Sequence, residues 1–207
     1  MSAGLGNERL VFVDLETGGL EPSRPILQIA AVAVTSTLRE VEVFEAKLSF
    51  DEADASPESL RKNHYSRARW EREGREPRKV AGEFSSFLRR HASVDHPTRD
   101  GRVIQVAQIV AHNAAFDGAF LEAWYDRHGM FLPASRRVLC TMQRAIWLFH
   151  EDKSLTPPTD YKLATLCEYF GVRLKAHEAH DALIDVRATV ELYRQMIGWS
   201  QRQSVAA

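Results

Sequence analysis

Three apolar segments fall within the first 48 residues, at 10–15, 26–34 and 41–48, and the last alternates clearly as EVEVFEAKL. Runs this short, rich in Val, Ile and Phe and joined by short connections, read as a meander of antiparallel strands. A sheet of that kind must be covered, and the rest of the chain supplies the cover. After Pro57 the pattern turns helical, through PESLRKNHYS and then 78–90, where Val80, Phe84, Phe87 and Leu88 recur at helical spacing. A polar stretch, HASVDHPTRDG, precedes the run VIQVAQIVA and then AFDGAFLEAWYDRHG, which reads as a strand leading into a helix; VLC reads as a further short strand. Three more helical stretches cover about 141–150, 162–170 and 182–197, with TPPTD as a loop between the first two. Strands first, then strands alternating with helices, imply an α/β chain: a mixed sheet flanked by helices. With 207 residues and 44% hydrophobic content, one domain with a sizeable core is expected over 1–207, its core at about 9–197.

The first strand carries an anomaly. VFVDLETGGL is apolar, yet it acquires Asp14 and Glu16 before breaking on Thr17, Gly18 and Gly19. Side chains at i and i+2 of a strand share a side, so both carboxylates converge near its end. Crowding two like charges is costly unless a cation or a shared proton compensates, and oxygen ligands suit a hard divalent cation. Further acids stand at corresponding places. Asp117 follows QIVAHNAAF, where a strand hands over to a helix, an active-site position in open α/β sheets. Asp185 sits in the last helical stretch, and His180 precedes it in AHDALID. Five helical steps rotate about 500°, so His180 should project from the loop before the helix and Asp185 from its second turn. Asp14, Glu16, Asp117 and Asp185 could then surround two divalent cations ~3.5–4 Å apart, an arrangement suited to phosphodiester cleavage. A neutral His180 could act as the general base on the attacking water. His112, in AHNAAFD, reads instead as a structural histidine.

Composition narrows the classes. The 27 Lys and Arg nearly cancel the 28 Asp and Glu, so nucleic acid must be held by local patches and metal ions rather than by a global basic field. The basic run between Arg61 and Lys79 reads either as a solvated helical face or as a phosphate-tracking patch with Tyr65 and Trp70 available for base stacking, and its position directly after Asn63 favours some contact with an incoming strand. The two cysteines, Cys140 and Cys167, have neither zinc-site nor disulfide spacing and read as buried thiols in a reducing compartment. No apolar run reaches transmembrane length and no signal-peptide pattern opens the chain, so a cytoplasmic protein without membrane contact is expected.

DLETGG, HNAAFD and the His180 to Asp185 spacing, in that order, resemble the three motifs of the DEDDh group of DnaQ-like 3′-5′ exonucleases, and YKLATLCEYFGV extends the likeness along the chain. The resemblance implies a ribonuclease-H-like fold, a five-stranded mixed sheet whose first three strands are antiparallel. It implies two Mg2+ or Mn2+ ions on Asp14, Glu16, Asp117 and Asp185, with His180 as general base. Asp181 stands where the tyrosine variant of the superfamily would place its Tyr, which favours the histidine group. The resemblance also implies a pocket for the terminal nucleotide beside Leu15, Thr17, Gly18 and Leu20, with Asn113 and Phe116 flanking it. Asn63 would stand against the end of the substrate. The expected reaction is removal of nucleoside 5′-monophosphates from 3′ ends, preferentially of single-stranded DNA. An RNA trimmer resembling RNase T or oligoribonuclease is the alternative, and a non-catalytic nucleic-acid-binding module is a further one. A homodimer stays open at this point, as does association with a polymerase; the 22 residues after Asp185 leave little tail for docking and favour a free-standing nuclease.

Overall fold

The computed structural model describes residues 9–98, 100–174 and 181–206. The meander is present as β1 (Arg9–Thr17), β2 (Ile26–Thr35) and β3 (Glu40–Leu48), each antiparallel to the next. Two short helices follow, α1 (Pro57–Lys62) and α2 (Arg67–Glu73), then the two-residue strand β4 (Gly74–Arg75) and the helix α3 (Pro77–Arg90). Beyond them lie β5 (Ala92–Pro97), β6 (Val103–Ala107), β7 (Ile109–Ala111) and α4 (Ala114–Arg127). The chain continues through β8 (Leu139–Cys140), α5 (Thr141–Glu151), α6 (Leu163–Tyr169) and α7 (Ala182–Ala206). The main sheet runs β4-β3-β2-β1-β7-β8, with β7 parallel to β1 and β8 parallel to β7. This is the expected five-stranded mixed sheet, extended by β4 at one edge.

The alternation of β1 sorts its side chains between two layers. Val11, Val13 and Leu15 pack against α3 and α4 through Val80, Phe84, Phe120 and Leu121. Phe12 packs on the opposite face with Val32, Val110 and the α7 residues Ala182, Val186 and Val190. A third cluster joins α5, α6 and α7 through Phe149, Leu166 and Leu192. Asp14 and Glu16 have the parity of Phe12, so they fall on the face that α7 covers. Immediately after Glu16 the β1–β2 register shifts, Glu16 pairing with Gln28 and Thr17 with Ile26, and such irregularities re-aim side chains next to sites.

Three segments depart from the sequence reading. VIQVAQIVA is two strands rather than one. Gln108 divides it: its side-chain amide donates to the carbonyls of Ile109 and Arg137, and its own carbonyl accepts from Val11 N–H. The polar stretch before it contains a strand that the sequence reading did not assign, since Ala92–Pro97 pairs with β6 as a separate antiparallel hairpin. The last helix continues past 197, to Ala206. No helix among the described residues is long and apolar enough to cross a membrane.

Candidate active site

The carboxylates converge because three elements end at one place. Asp14 and Glu16 occupy the C-terminal end of β1. α7 lies across the same face and contributes Asp185 from its first turn. Asp181 fixes that turn: its carboxylate accepts from the amides of Leu183 (3.1 Å) and Ile184 (3.4 Å), and its carbonyl accepts from Asp185 N–H at 3.0 Å. One ligand oxygen from each of Asp14, Glu16 and Asp185 lies within 4.8 Å of the others. Asp117, in the first turn of α4 where β7 hands over to helix, is 3% exposed and outside that tight group. It is electrostatically joined to it, as the largest single neighbouring charge on Asp14.

The electrostatics are those of a site built for positive charge. Burial, then the negative charges of Asp117, Glu16 and Asp185, holds the Asp14 carboxyl well above the usual carboxylate range. Burial and the Asp185 charge push Glu16 up to about 8, with the Lys62 ammonium pulling the other way. Burial likewise pushes Asp117 up to about 8, against hydrogen bonds with its own backbone and that of Leu15. Enclosed acids whose ionisation is this unfavourable, offering only hard oxygen donors at mutual coordinating distance, fit a hard divalent cation. Asp14, Glu16 and Asp185 would hold it, with Asp117 at the edge of the cluster. His180, expected as the base, lies outside the described residues. α7 begins at Ala182 and so carries Asp185 in its first turn, not in the second turn where the sequence reading placed it.

Beside Glu16 opens a cleft of about 360 Å³ that gathers Leu15, Thr17, Leu20, Asn63 and Phe116 from distant parts of the chain. Leu15 directs its side chain into the core beneath, whereas Leu20 stands 81% exposed at the mouth. Phe116 is braced against Phe120, ring centroids 4.7 Å apart. Asn63 caps the C-terminus of α1 and is 7% exposed. Gly18 and Asn113 are not brought to this cleft. A Cβ on Gly18 would meet Ala55 Cβ and Pro25 Cγ, each at 2.9 Å, so its bareness serves the packing of the turn. Asn113 has φ 61° and ψ 48°, a left-handed conformation that Asn tolerates better than most residues, and its exposed side chain borders a different groove on the other flank of α4.

The structure adds residues that sequence reasoning had not assigned to the pocket. Lys62 and Arg24 line the cleft. The signal for Lys62 was its adjacency to Asn63; Arg24 had none. Other basic residues of the 61–79 run are ion-paired: Arg67 with Glu52, Arg69 and Arg72 with Glu73, and Arg75 with Glu83. Trp70, expected as a stacking surface, is instead 6% exposed, its indole N–H donating to the Leu27 carbonyl at 3.4 Å. Tyr65 packs between Phe50 and Trp70 and bonds Glu52. His112 is held at both ring nitrogens, by Thr141 Oγ1 and by the Tyr161 carbonyl, each at 2.9 Å. Burial lowers its pKa, and the Tyr161 carbonyl requires a proton on Nε2, which describes a neutral structural imidazole.

Over 91 residues the chain is 36% identical to a PolC-type DNA polymerase III of Caldanaerobacter subterraneus, a stretch that is 44% of this chain and 6% of the polymerase. Over 89 residues it is 34% identical to the PolC-type DNA polymerase III of Bacillus subtilis, again 6% of that protein. In fold it is similar to E. coli exonuclease I in complex with a dT13 oligonucleotide, with TM-score 0.72 and 17% identity over 96% of this chain and 42% of the other. It is also similar to exonuclease I of Methylocaldum szegediense, with TM-score 0.70 and 18% identity over 90% of this chain and 40% of the other. The chain thus spans less than half the length of each of these relatives. A family model matches from the start of β1 into α7, residues 9–197, and on that match the chain belongs to the family of the 3′-5′ exoribonuclease Rv2179c-like domain.

Proposed function

We infer that this protein is a divalent-metal-dependent exonuclease that removes nucleotides one at a time from the 3′ end of a single strand. The observation that carries the reading is the convergence of Asp14, Glu16 and Asp185 beside a cleft large enough for one terminal nucleotide. Asp14, Glu16, Asp185 and Asp117 would hold two cations, Mg2+ or Mn2+, which when bound would supply positive charge against the negative charge that develops on the cleaved phosphate. The chain's own residues do the rest. Leu20 and Phe116 offer apolar surface to the terminal base. Asn63 holds the Thr17 backbone in place, and Lys62 offers positive charge to a phosphate. His180, one residue before Asp181, takes the proton of the attacking water.

RNA is the substrate that family membership supports, since the family is described as exoribonuclease. Single-stranded DNA is the second reading, favoured by the fold likeness to an exonuclease I that holds dT13. The 2′-hydroxyl decides between them. Linear and circular forms of one single strand, as DNA and as RNA, incubated with Mg2+ or Mn2+ and with chelator, test the proposal. Linear strands should lose 3′ nucleotides as 5′-monophosphates while circles survive. Rapid cutting of circles, or full activity in chelator, would overturn it.

A further inference from the structure

Trp124, on α4, is 2% exposed, and its indole N–H has no acceptor among the described residues. The other indoles packed into the fold are satisfied: Trp70 donates to the Leu27 carbonyl, and Trp199 to an Asp152 carboxylate oxygen at 3.0 Å. A buried donor without an acceptor is costly and needs a reason. Trp124 lines a cavity of about 250 Å³ that shares no lining residue with the terminal-nucleotide cleft. Pro25 joins the two. It lines the cavity, its carbonyl accepts from Gly18 N–H at 2.8 Å, and a Cβ added to Gly18 would meet its Cγ at 2.9 Å. Gly18 is two residues from Glu16, so the cavity lies against the back of the turn that follows the acids of β1.

The lining restricts what can fill it. Pro25, Phe50, Pro77 and the Trp124 ring supply apolar surface. Arg127 donates through Nη1 to the Pro22 carbonyl at 2.7 Å and forms no ion pair among the described residues. His128 sets its ring edge-on to that of Trp124, centroids 6.4 Å apart. Two carboxylates share the lining: Asp51, whose Oδ1 accepts from Ala53 N–H at 3.0 Å, and Asp54, which has no ion pair among the described residues. A hydrocarbon would leave the indole N–H unpaired, and a simple anion would meet the two acids. A nucleobase answers both demands, since its ring stacks on apolar surface, its ring nitrogens or carbonyls accept from the indole, and its amino or imino groups donate to carboxylate. A phosphate on its sugar is the charge that Arg127 and His128 suit. The volume is below the ~300–1,000 Å³ of sites that enclose drug-sized ligands, which favours one nucleotide over a strand. We propose that this cavity is a second site, binding a nucleoside 5′-monophosphate with its base on Trp124 and its phosphate on Arg127. That ligand is the product of the proposed reaction, and in this respect alone the site rests on the exonuclease reading.

Nitrogen-labelled native protein in chelator tests this in proton–nitrogen correlation spectra, titrated with adenosine and uridine 5′-monophosphates, with the two nucleosides and with inorganic phosphate. The chain has four Trp and hence four indole signals, of which that of Trp124 is the one missing from Trp124→Phe. That variant loses a donor that has no acceptor, so it should keep a near-native Tm. If it fails to fold, His128→Ala identifies the signal instead, by removing the ring edge-on to Trp124. The monophosphates should move the Trp124 signal downfield and saturably as the indole gains an acceptor, the nucleosides should do so more weakly, and phosphate alone should not. Arg127→Met should weaken monophosphate binding roughly 10-fold, the worth of one charge-assisted hydrogen bond, and leave nucleoside binding unchanged. Lys62→Met, altered in the other cleft, should leave the Trp124 response at its native strength. A response abolished by Lys62→Met would show that it is relayed from the terminal-nucleotide cleft and would overturn the site. A Trp124 signal that no nucleotide moves would give the cavity to water, and an equal response to phosphate alone would give it to an adventitious ion only; either result overturns the proposal. Hydrolysis is measured separately with Mg2+. A chain that binds monophosphate at Trp124 but cleaves no strand would sink the exonuclease reading and leave the site standing, and cleavage without any response at Trp124 would do the reverse.

Discussion

Asn63 Nδ2 donates a 2.9 Å hydrogen bond to the carbonyl oxygen of Thr17, 46 residues earlier and next to Glu16. This bond ties α1 to the end of β1, where Thr17 Oγ1 in turn donates to the Gly19 carbonyl at 2.7 Å. Removing the donor leaves a buried carbonyl unsatisfied, which costs about 1–3 kcal/mol. Asn63→Ala should therefore lower Tm by roughly 2–4 °C for each kcal/mol lost in a chain of this size. Asn63→Asp keeps the shape but turns an acceptor towards an acceptor beside acids, so it should be no better than Ala. Thermal denaturation of both variants checks the order; an Asp variant as stable as native would mean that the bond is not what holds the turn.

The crowded acids predict an unusual pH dependence. Glu16 is raised from 4.5 to about 8 and Asp117 from 3.8 to about 8, so the folded state keeps protons that the unfolded chain has released. Their contribution to stability is fully present below about pH 4 and is lost as pH rises through about 8. In chelator, Tm should fall from pH 5 to pH 9. Added Mg2+ or Mn2+, which binds the ionised acids of the folded state only, should oppose that fall most strongly at the alkaline end. Asp14→Asn removes one of the repelling charges. It should raise Tm in chelator at pH 8, largely abolish the metal-induced rise, and eliminate activity. A metal-induced rise of native size in that variant would separate Asp14 from the cation site.

What was legible in the sequence was whatever is locally anomalous or strictly periodic. Acids inside an apolar strand are anomalous, so Asp14 and Glu16 announced themselves, and the five-residue spacing of His180 and Asp185 required a helix to begin between them, as α7 does at Ala182. The Val80, Phe84, Phe87 and Leu88 stripe is periodic and forms the buried face of α3. What failed depended on partners far along the chain. Nothing in VIQVAQIVA marks Gln108 as the point where pairing passes from β5 to the main sheet, because that is decided by Val11 and Arg137. HASVDHP is mostly half-exposed and so carries no alternation to read. Trp70 looked available on a basic helix until Leu27, 43 residues away, took its indole N–H. Gly18 and Asn113 sit in motifs where function and backbone geometry want the same residue, and only the Ala55 contact and the left-handed φ separate the two demands.

The two histidines of the motifs should behave oppositely. His112 spends both ring nitrogens on Thr141 and Tyr161, bridging β7, α5 and the loop before α6. Its replacement by Ala should lower Tm by leaving the Tyr161 carbonyl without that donor, while turnover at a permissive temperature stays close to native. His180→Ala should leave Tm and strand binding unchanged and lower kcat by roughly 10²–10⁴, the usual worth of a positioned base. Native turnover should also climb as pH rises through the range where imidazole loses its proton, and the His180 variant should lose that limb. If instead His112→Ala lost turnover at unchanged Tm while His180→Ala kept it, the base would be His112.

Lys62 offers the last test, because it can be read without any chemistry occurring. It is exposed, lines the terminal-nucleotide cleft, and forms no ion pair among the described residues, unlike Arg67, Arg69, Arg72 and Arg75 of the same basic run. Its ammonium lowers the pKa of both Asp14 and Glu16, which places it within electrostatic reach of the phosphate that would lie between them and the cleft. A cation that neutralises one phosphate of a single strand releases counterions on binding, worth about 0.7 in the slope of log K against log salt. Lys62→Met keeps the apolar stem, so cleft shape is preserved while the charge is lost. Measured in chelator against a short single strand, its affinity should be lower than native at low salt. The two affinities should converge as salt rises, with the slope reduced by about that amount. The ion-paired arginines supply the contrast: Arg69→Met, whose partner Glu73 is already neutralised in part by Arg72 and Lys47, should leave the slope near its native value. A Lys62→Met slope equal to native, with Arg69→Met reduced, would move phosphate contact from the cleft to the outer face of α2.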